Sequence, residues 1–130
     1  MNNTPITTAS QAMCFACKEL YGDADPRERL VMITLNSGVP IKSNLVAIGG
    51  WKSVTIDIRQ IAKTALNDNA TQVILLHTHS VDSRPSPADI EETRRLQLGL
   101  KTLDIQLFDH IIVAPNEFYS FADEKTTKVD

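Results

Sequence analysis

His77-Thr78-His79 is followed closely by Ser86-Pro87-Ala88-Asp89. On an extended strand, residues two apart project to the same side, so His77 and His79 present their imidazoles to a common point without distorting the backbone. Asp89 lies in the first turn of the helix that Pro87 starts and adds an oxygen donor. The set is two His and one carboxylate, with a fourth tetrahedral position left for water. That is the pattern of a catalytic zinc; a structural zinc normally fills all four positions with protein groups, usually thiolates, and no Cys lies nearby in sequence. Zinc with an open position lowers the pKa of its water toward about 7 and polarises a carbonyl oxygen, so the expected chemistry is hydrolysis. A general base must accompany it. Glu28, Asp82, Glu91, Glu92 and Asp109 all qualify by type, and spacing does not choose among them. The motif His-Glu-x-x-His is absent, which excludes the commonest helical metalloprotease solution.

Each of these residues also has a plainer use. Ser86 and Asp89 flank Pro87 as a Ser-x-x-Asp sequence close to a capping box, and alone they read as a helix cap. The adjacent His-Thr-His turns the reading toward metal, because two imidazoles at a strand end gain little from the fold. Glu28, between Arg27 and Arg29, reads on its own as a surface charge in ion pairs worth about 0 to 1 kcal/mol. His110 lies in an apolar strand beside Asp109, where a buried His bonded to a backbone or carboxylate group is the commoner outcome and a supporting role near the metal is the alternative; it is not counted among the site residues. Trp51 reads equally as a core anchor or as a lip for substrate. Cys14 and Cys17 have a redox or half-zinc spacing. Since Met13, Ala16, Cys17 and Leu20 recur at helical spacing, Cys17 is expected to pack as a small apolar residue.

The elements that must position these groups follow from periodicity. An amphipathic segment near residues 9–20 precedes a loop at Gly22-Asp23-Ala24-Asp25-Pro26. Leu30–Leu35 reads as a strand, Asn36–Pro40 as a turn and Leu45–Ile48 as a second strand, a hairpin ended by Gly49-Gly50. Asp57 caps a helix whose inward face carries Ile58, Ile61, Ala62, Ala65 and Leu66. The unbroken apolar strand at 72–77 reads as central and covered on both sides. A further helix runs from Pro87 to Leu103 with Ile90, Thr93, Leu96, Leu100 and Leu103 inward. Ile105–Val113 and Glu117–Phe121 read as closing strands joined by Pro115-Asn116. The tail Asp123–Asp130 is polar and expected to fray.

At 130 residues the chain is long enough to bury roughly two-thirds of its unfolded surface in one domain. Its 42% hydrophobic and 22% charged content is ordinary for a globular protein. The net charge of −3, without a basic stripe, gives no strong nucleic-acid signal for this domain alone. No apolar run approaches a membrane span, and the start lacks signal-peptide regions, so the expected location is cytoplasmic.

Together the motifs resemble the JAMM metallopeptidase family (JAB or MPN-plus), and within it the RadC-like branch. The resemblance covers nearly the whole chain. The family pattern is a Glu at the first strand, a distant His-x-His, then a Ser and, three residues later, an Asp. Here Glu28, His77-Thr78-His79 and Ser86-Pro87-Ala88-Asp89 match it. Asp89–Leu96 and Leu107–Val113 are similar to segments characteristic of the RadC-like branch. Where that branch usually reads His-Asn-His-Pro-Ser-Gly, this chain has His77-Thr78-His79-Ser80-Val81-Asp82 and one residue fewer before Ser86. The N-terminal helical region suggestive of DNA-repair proteins is reduced to a short helix.

The resemblance implies an α/β fold, a single JAB/MPN-type (cytidine-deaminase-like) domain over residues 1–130 with a mixed β-sheet packed between helices. Residues 1–25 would form the N-terminal helix and loop, and 123–130 the polar tail. It also implies zinc on His77, His79 and Asp89, Glu28 holding and deprotonating the water, and Ser86 stabilising the oxyanion. The implied reaction is cleavage of a peptide or isopeptide bond through a metal-activated water, with a peptide or protein substrate. A homodimer is one arrangement left open. A non-catalytic binding or scaffold module of DNA repair or mobile elements is the first rival, but a scaffold has no need of all five residues. A metal-dependent nuclease is the second, and it lacks an evident Arg or Lys clamp or a second metal.

Overall fold

The computed structural model describes residues 4–22, 27–49 and 56–129. Its frame is a six-stranded sheet in the order β2-β1-β3-β4-β5-β6, from β1 (Arg29–Asn36), β2 (Val39–Ile48), β3 (Gln72–Thr78), β4 (Gln106–Ala114), β5 (Glu117–Ser120) and β6 (Lys125–Lys128). The helices are α1 (Ala9–Phe15), α2 (Cys17–Tyr21), α3 (Ile58–Asn67) and α4 (Pro87–Lys101). β3 is antiparallel to β1 and parallel to β4, the parallel step being the one that α4 bridges. The result is the mixed α/β architecture expected of a JAB-type domain.

Strand alternation divides the core. Leu30, Met32, Val73 and Leu75 face α3 and α4 with Ile61, Ala65, Leu96 and Leu100. Val31, Ile33, Leu35, Ile74 and Leu76 face the opposite way, against Ala12, Ala16 and Leu20 of α1 and α2. β3 is covered on both faces, as its unbroken apolar run requires. Asp57 caps α3 by accepting from the amides of Arg59 and Gln60.

Several expectations need correction. The first hairpin turns on Ser37 and Gly38, both at positive φ (49° and 85°), so Val39 and Pro40 belong to β2 and not to the turn. Pro40 is tolerated because β2 is an edge strand. Ile90 and Leu103, expected inward, are 53% and 44% exposed, and Leu66 is 53% exposed. Ile90 sits about a quarter-turn off the buried stripe of Asp89, Thr93, Leu96 and Leu100, Leu103 follows the last helical residue Lys101, and Leu66 is next to the last residue of α3. Cys17 is exposed: the first helix breaks at Ala16, and Ala12, Ala16 and Leu20 make the buried face instead. The polar tail is not frayed throughout, since Lys125–Lys128 pairs with β5 as an edge strand. Trp51 lies outside the described residues.

Leu96 is fully buried in α4 while Leu98 is 57% exposed. Leu96→Ala is therefore expected to lower unfolding free energy by about 2–5 kcal/mol and Leu98→Ala by less than about 0.5 kcal/mol in urea titrations. Equal losses would contradict this packing.

Candidate metal centre

His77 follows Val73 and Leu75 in the alternation of β3 and so points to the face covered by α4. Leu30 pairs with His77, and continuing that antiparallel register sets Glu28 opposite His79, on the same face as Leu30 and Met32. The register is locked at this end: Arg29 N donates to Thr78 Oγ1 (2.8 Å), His79 N to Val113 O (2.8 Å) and Gly49 N to Glu28 O (2.8 Å). Asp89 arrives from the first turn of α4. Ser86 Oγ accepts from Asp89 N (3.0 Å) and Ser86 N donates to Asp89 Oδ2 (2.9 Å), a reciprocal capping box that holds the carboxylate at the helix start.

The side chains converge. His77 Nδ1 is 3.6 Å from Asp89 Oδ1, His79 Nε2 is 3.3 Å from Asp89 Oδ2, and His77 Nε2 is 3.6 Å from Glu28 Oε1. One potential ligand atom from each of His77, His79 and Asp89 lies within 4.8 Å of the others, a group able to hold a metal ion. Glu28, His77 and Asp89 are 7%, 4% and 7% exposed, yet Glu28 Oε1 and His77 Nε2 are buried without a hydrogen-bond partner.

A profile of the RadC-like JAB domain matches residues 6–126. The chain belongs to the RadC-like JAB family. It is 39% identical over 99 residues to the UPF0758 protein YfjY of Escherichia coli (strain K12), covering 75% of this chain and 62% of that protein. A UPF0758 protein of Psychrobacter sp. (strain PRwf-1) is 34% identical over 104 residues, with 78% and 46% covered. Another, from Flavobacterium johnsoniae, is 31% identical over 120 residues, with 92% and 52% covered. The chain thus spans about half the length of curated relatives it matches.

Of the five carboxylates open as general base, this RadC-like JAB domain brings only Glu28 to the cluster. Asp82 caps the loop through Arg84 N (3.0 Å). Asp109 spends its oxygens on Ser120 Oγ and the amides of His110 and Ala122. Glu91 is exposed, and Glu92 is partly buried on α4. Ser86 is exposed, and its oxygen serves the cap. Three residues support the cluster: Asp82, through its carbonyl and not as the candidate base, His110, which the sequence reading does not count among the site residues, and Thr93, whose spacing marks it only as an inward residue of the helix. Asp82 O lies 3.0 Å from His79 Nδ1, so that ring nitrogen donates and Nε2 is left toward Asp89. Behind Asp89, Thr93 Oγ1 donates to Asp89 O (2.6 Å) and meets His110 Nδ1 (2.6 Å), and His110 stacks between His77 and Phe121. His110 therefore supports the cluster from the core side, with its Nε2 unpartnered.

The electrostatics follow from burial. Burial pushes the Glu28 carboxyl up, opposed by His79 and the amide of Ser80. Burial pushes His77 down to about 4, with His79 adding to the shift. The hydrogen bond to Asp89 raises His79 against its own burial. For Asp89, burial acts upward but is overcome by His79, the Ser86 amide and His77, leaving the carboxyl well below its ordinary range. Burial pushes His110 down to about 3.

His77 and His110 stay neutral in the folded protein, so at these two residues the unfolded chain binds more protons than the native one between about pH 6.5 and about pH 4. The contribution of the raised His79 is fully present below its unfolded pKa and that of Asp89 is lost only below its own unfolded value, whereas the raised carboxyls of Glu28, Glu92 and Asp109 bind protons in the native state above their unfolded values and oppose the histidine trend as pH falls. The comparison with His110→Gln isolates one buried neutral His: as pH falls from about 6.5 to about 5 the metal-free unaltered protein is expected to lose unfolding free energy relative to the variant, and parallel profiles would contradict neutral burial.

Proposed function

We propose that this domain is a zinc-dependent hydrolase acting in the cytoplasm on a peptide or isopeptide bond of a peptide or protein substrate. The observation that carries this reading is the pair of buried, unpartnered atoms, Glu28 Oε1 and His77 Nε2, 3.6 Å apart beside His79 and Asp89. A buried polar atom left unpaired costs about 1–3 kcal/mol, and a site that keeps two of them is built for something that binds there. The donor set of two imidazoles and one carboxylate fits zinc with an open position.

His77, His79 and Asp89 would hold the ion, with His79 presenting Nε2 because Asp82 O engages Nδ1. Bound zinc supplies acidification of a water and polarisation of the substrate carbonyl. Glu28 takes the proton from the attacking water and returns it to the leaving amine; its carboxyl, raised by burial, is suited to both transfers. The Ser86 hydroxyl, at the exposed lip of the cluster, donates to the oxygen that becomes negative. Substrate reaches Glu28 and His79 through a 310 Å³ cleft walled by Leu20, Tyr21, Val113 and Pro115.

The test is chelator-sensitive hydrolysis of a peptide and isopeptide library. Glu28→Gln is expected to lower kcat by about 10²–10⁴-fold with bound zinc unchanged, and Asp89→Ala to lose the zinc. Undiminished turnover in Glu28→Gln, or equal zinc in Asp89→Ala, would contradict the assignment. Stoichiometric zinc in the unaltered protein without turnover on any substrate would favour the non-catalytic scaffold.

A further inference from the structure

The peptide unit joining Asp82 to Ser83 has both of its polar ends committed. Its carbonyl lies 3.0 Å from His79 Nδ1. Its N–H donates to Glu117 Oε2 at 2.8 Å. A trans peptide is planar, with C=O and N–H directed oppositely, so anchoring one end aims the other. The Ser83 hydroxyl donates to the same Glu117 oxygen (2.7 Å), and Lys128 Nζ, delivered by β6, donates to Oε1 (3.0 Å). Ser83 is fully buried, and the Glu117 side chain is 15% exposed. The amide and hydroxyl of Ser83, and then Lys128, hold the Glu117 carboxyl well below its ordinary range, so it is a carboxylate at neutral pH.

A carbonyl can only accept, so His79 donates from Nδ1 to Asp82 O, and that bond orients the ring with Nε2 toward Asp89. A carboxylate at the far end of the same peptide unit polarises it and strengthens that carbonyl as an acceptor. We infer that Glu117 is a positioning residue of the candidate metal centre: through the Asp82–Ser83 peptide unit it fixes the orientation of the His79 imidazole, with Nδ1 donating to Asp82 O and Nε2 presented to the cluster. The effect on metal affinity rests on the zinc reading above; the control of the His79 ring does not. The same arrangement gives β5 a purpose at the site: remote from His79 in sequence, it carries the Glu117 that pins the loop holding Asp82 and Ser83.

Two readouts test this. ¹H–¹⁵N spectra of metal-free protein report the exchange rate of the His79 Nδ1–H, which a hydrogen bond to a fixed carbonyl slows; competition with a chromophoric chelator reports zinc affinity. In the unaltered protein that ring proton is expected to be resolved and slow to exchange. Glu117→Ala is expected to lose it to fast exchange and to weaken zinc binding by about 10–100-fold, the usual cost of losing a group that orients a ligand. Glu117→Gln keeps an acceptor oxygen for Ser83 and restores the slow exchange and most of the affinity. Lys128→Met, removing an 82% exposed partner, changes neither. If the alanine variant does not fold, Glu117→Asp keeps the charge, shortens the reach and shifts both readouts in the same direction. A folded Glu117→Ala or Glu117→Asp protein with the original slow exchange overturns the inference, whatever its zinc affinity. Absence of zinc binding in the unaltered protein would remove the metal reading, while the exchange comparison would still decide the role of Glu117.

Discussion

Four ionisable side chains, Glu28, His77, His79 and Asp89, are packed together at one end of β3, and their mutual distances of 3.3–3.6 Å are too short for them to ignore one another. Burying such groups is costly unless each is neutralised, paired or bound to an ion. The protein neutralises His77 by burial, pairs His79 with Asp89, and leaves Glu28 Oε1 without a partner. The surrounding architecture follows from holding this arrangement in place. The β1–β3 register sets Glu28 opposite His79, the apolar faces of both strands fix that register, and α4 crosses so that its N-terminus meets the strand end.

Asp89 shows how the fold and the site share residues. One carboxylate oxygen accepts the Ser86 amide and lies near His79, and the other lies near His77. The capping box that starts α4 is thus also the device that orients the acidic donor, and Thr93 and His110 brace the same turn from the core side. A change at Ser86 acts on helix stability and on donor position together. The plain reading of Ser86 and Asp89 as a cap and their reading as site residues are both correct descriptions of one geometry for Asp89, while Ser86 Oγ is seen only in its capping role.

Much of this was legible in the sequence because the signals are local. The apolar run of β3 announced a strand covered on both faces, and His77 and His79 continue its alternation, so their convergence needed no tertiary information. Asp57 and the spacing of Ile61 and Ala65 announced α3. Illegible features depend on partners distant in the chain. Lys125–Lys128 has no apolar alternation and becomes a strand only because β5 offers it an edge. Ile90 and Leu103 read as inward in the sequence, but the face that packs on the sheet is centred on Asp89, Thr93, Leu96 and Leu100, and the helix stops at Lys101. Spacing left Glu28 one carboxylate among five; the resemblance to the JAMM pattern singled it out, and the pairing of β1 with β3 brings it opposite His79. Glu117 gave no sign of its connection to Ser83, 34 residues earlier.

The central claim is that His77, His79 and Asp89 surround a single metal ion with Glu28 beside its open position. A diffraction experiment on crystals grown with zinc, recorded above and below the zinc absorption edge, tests it most directly. One anomalous peak is expected about 2.0–2.2 Å from an imidazole nitrogen of each His and from an Asp89 oxygen. Zinc-soaked crystals with these three side chains well ordered and no peak among them would contradict it.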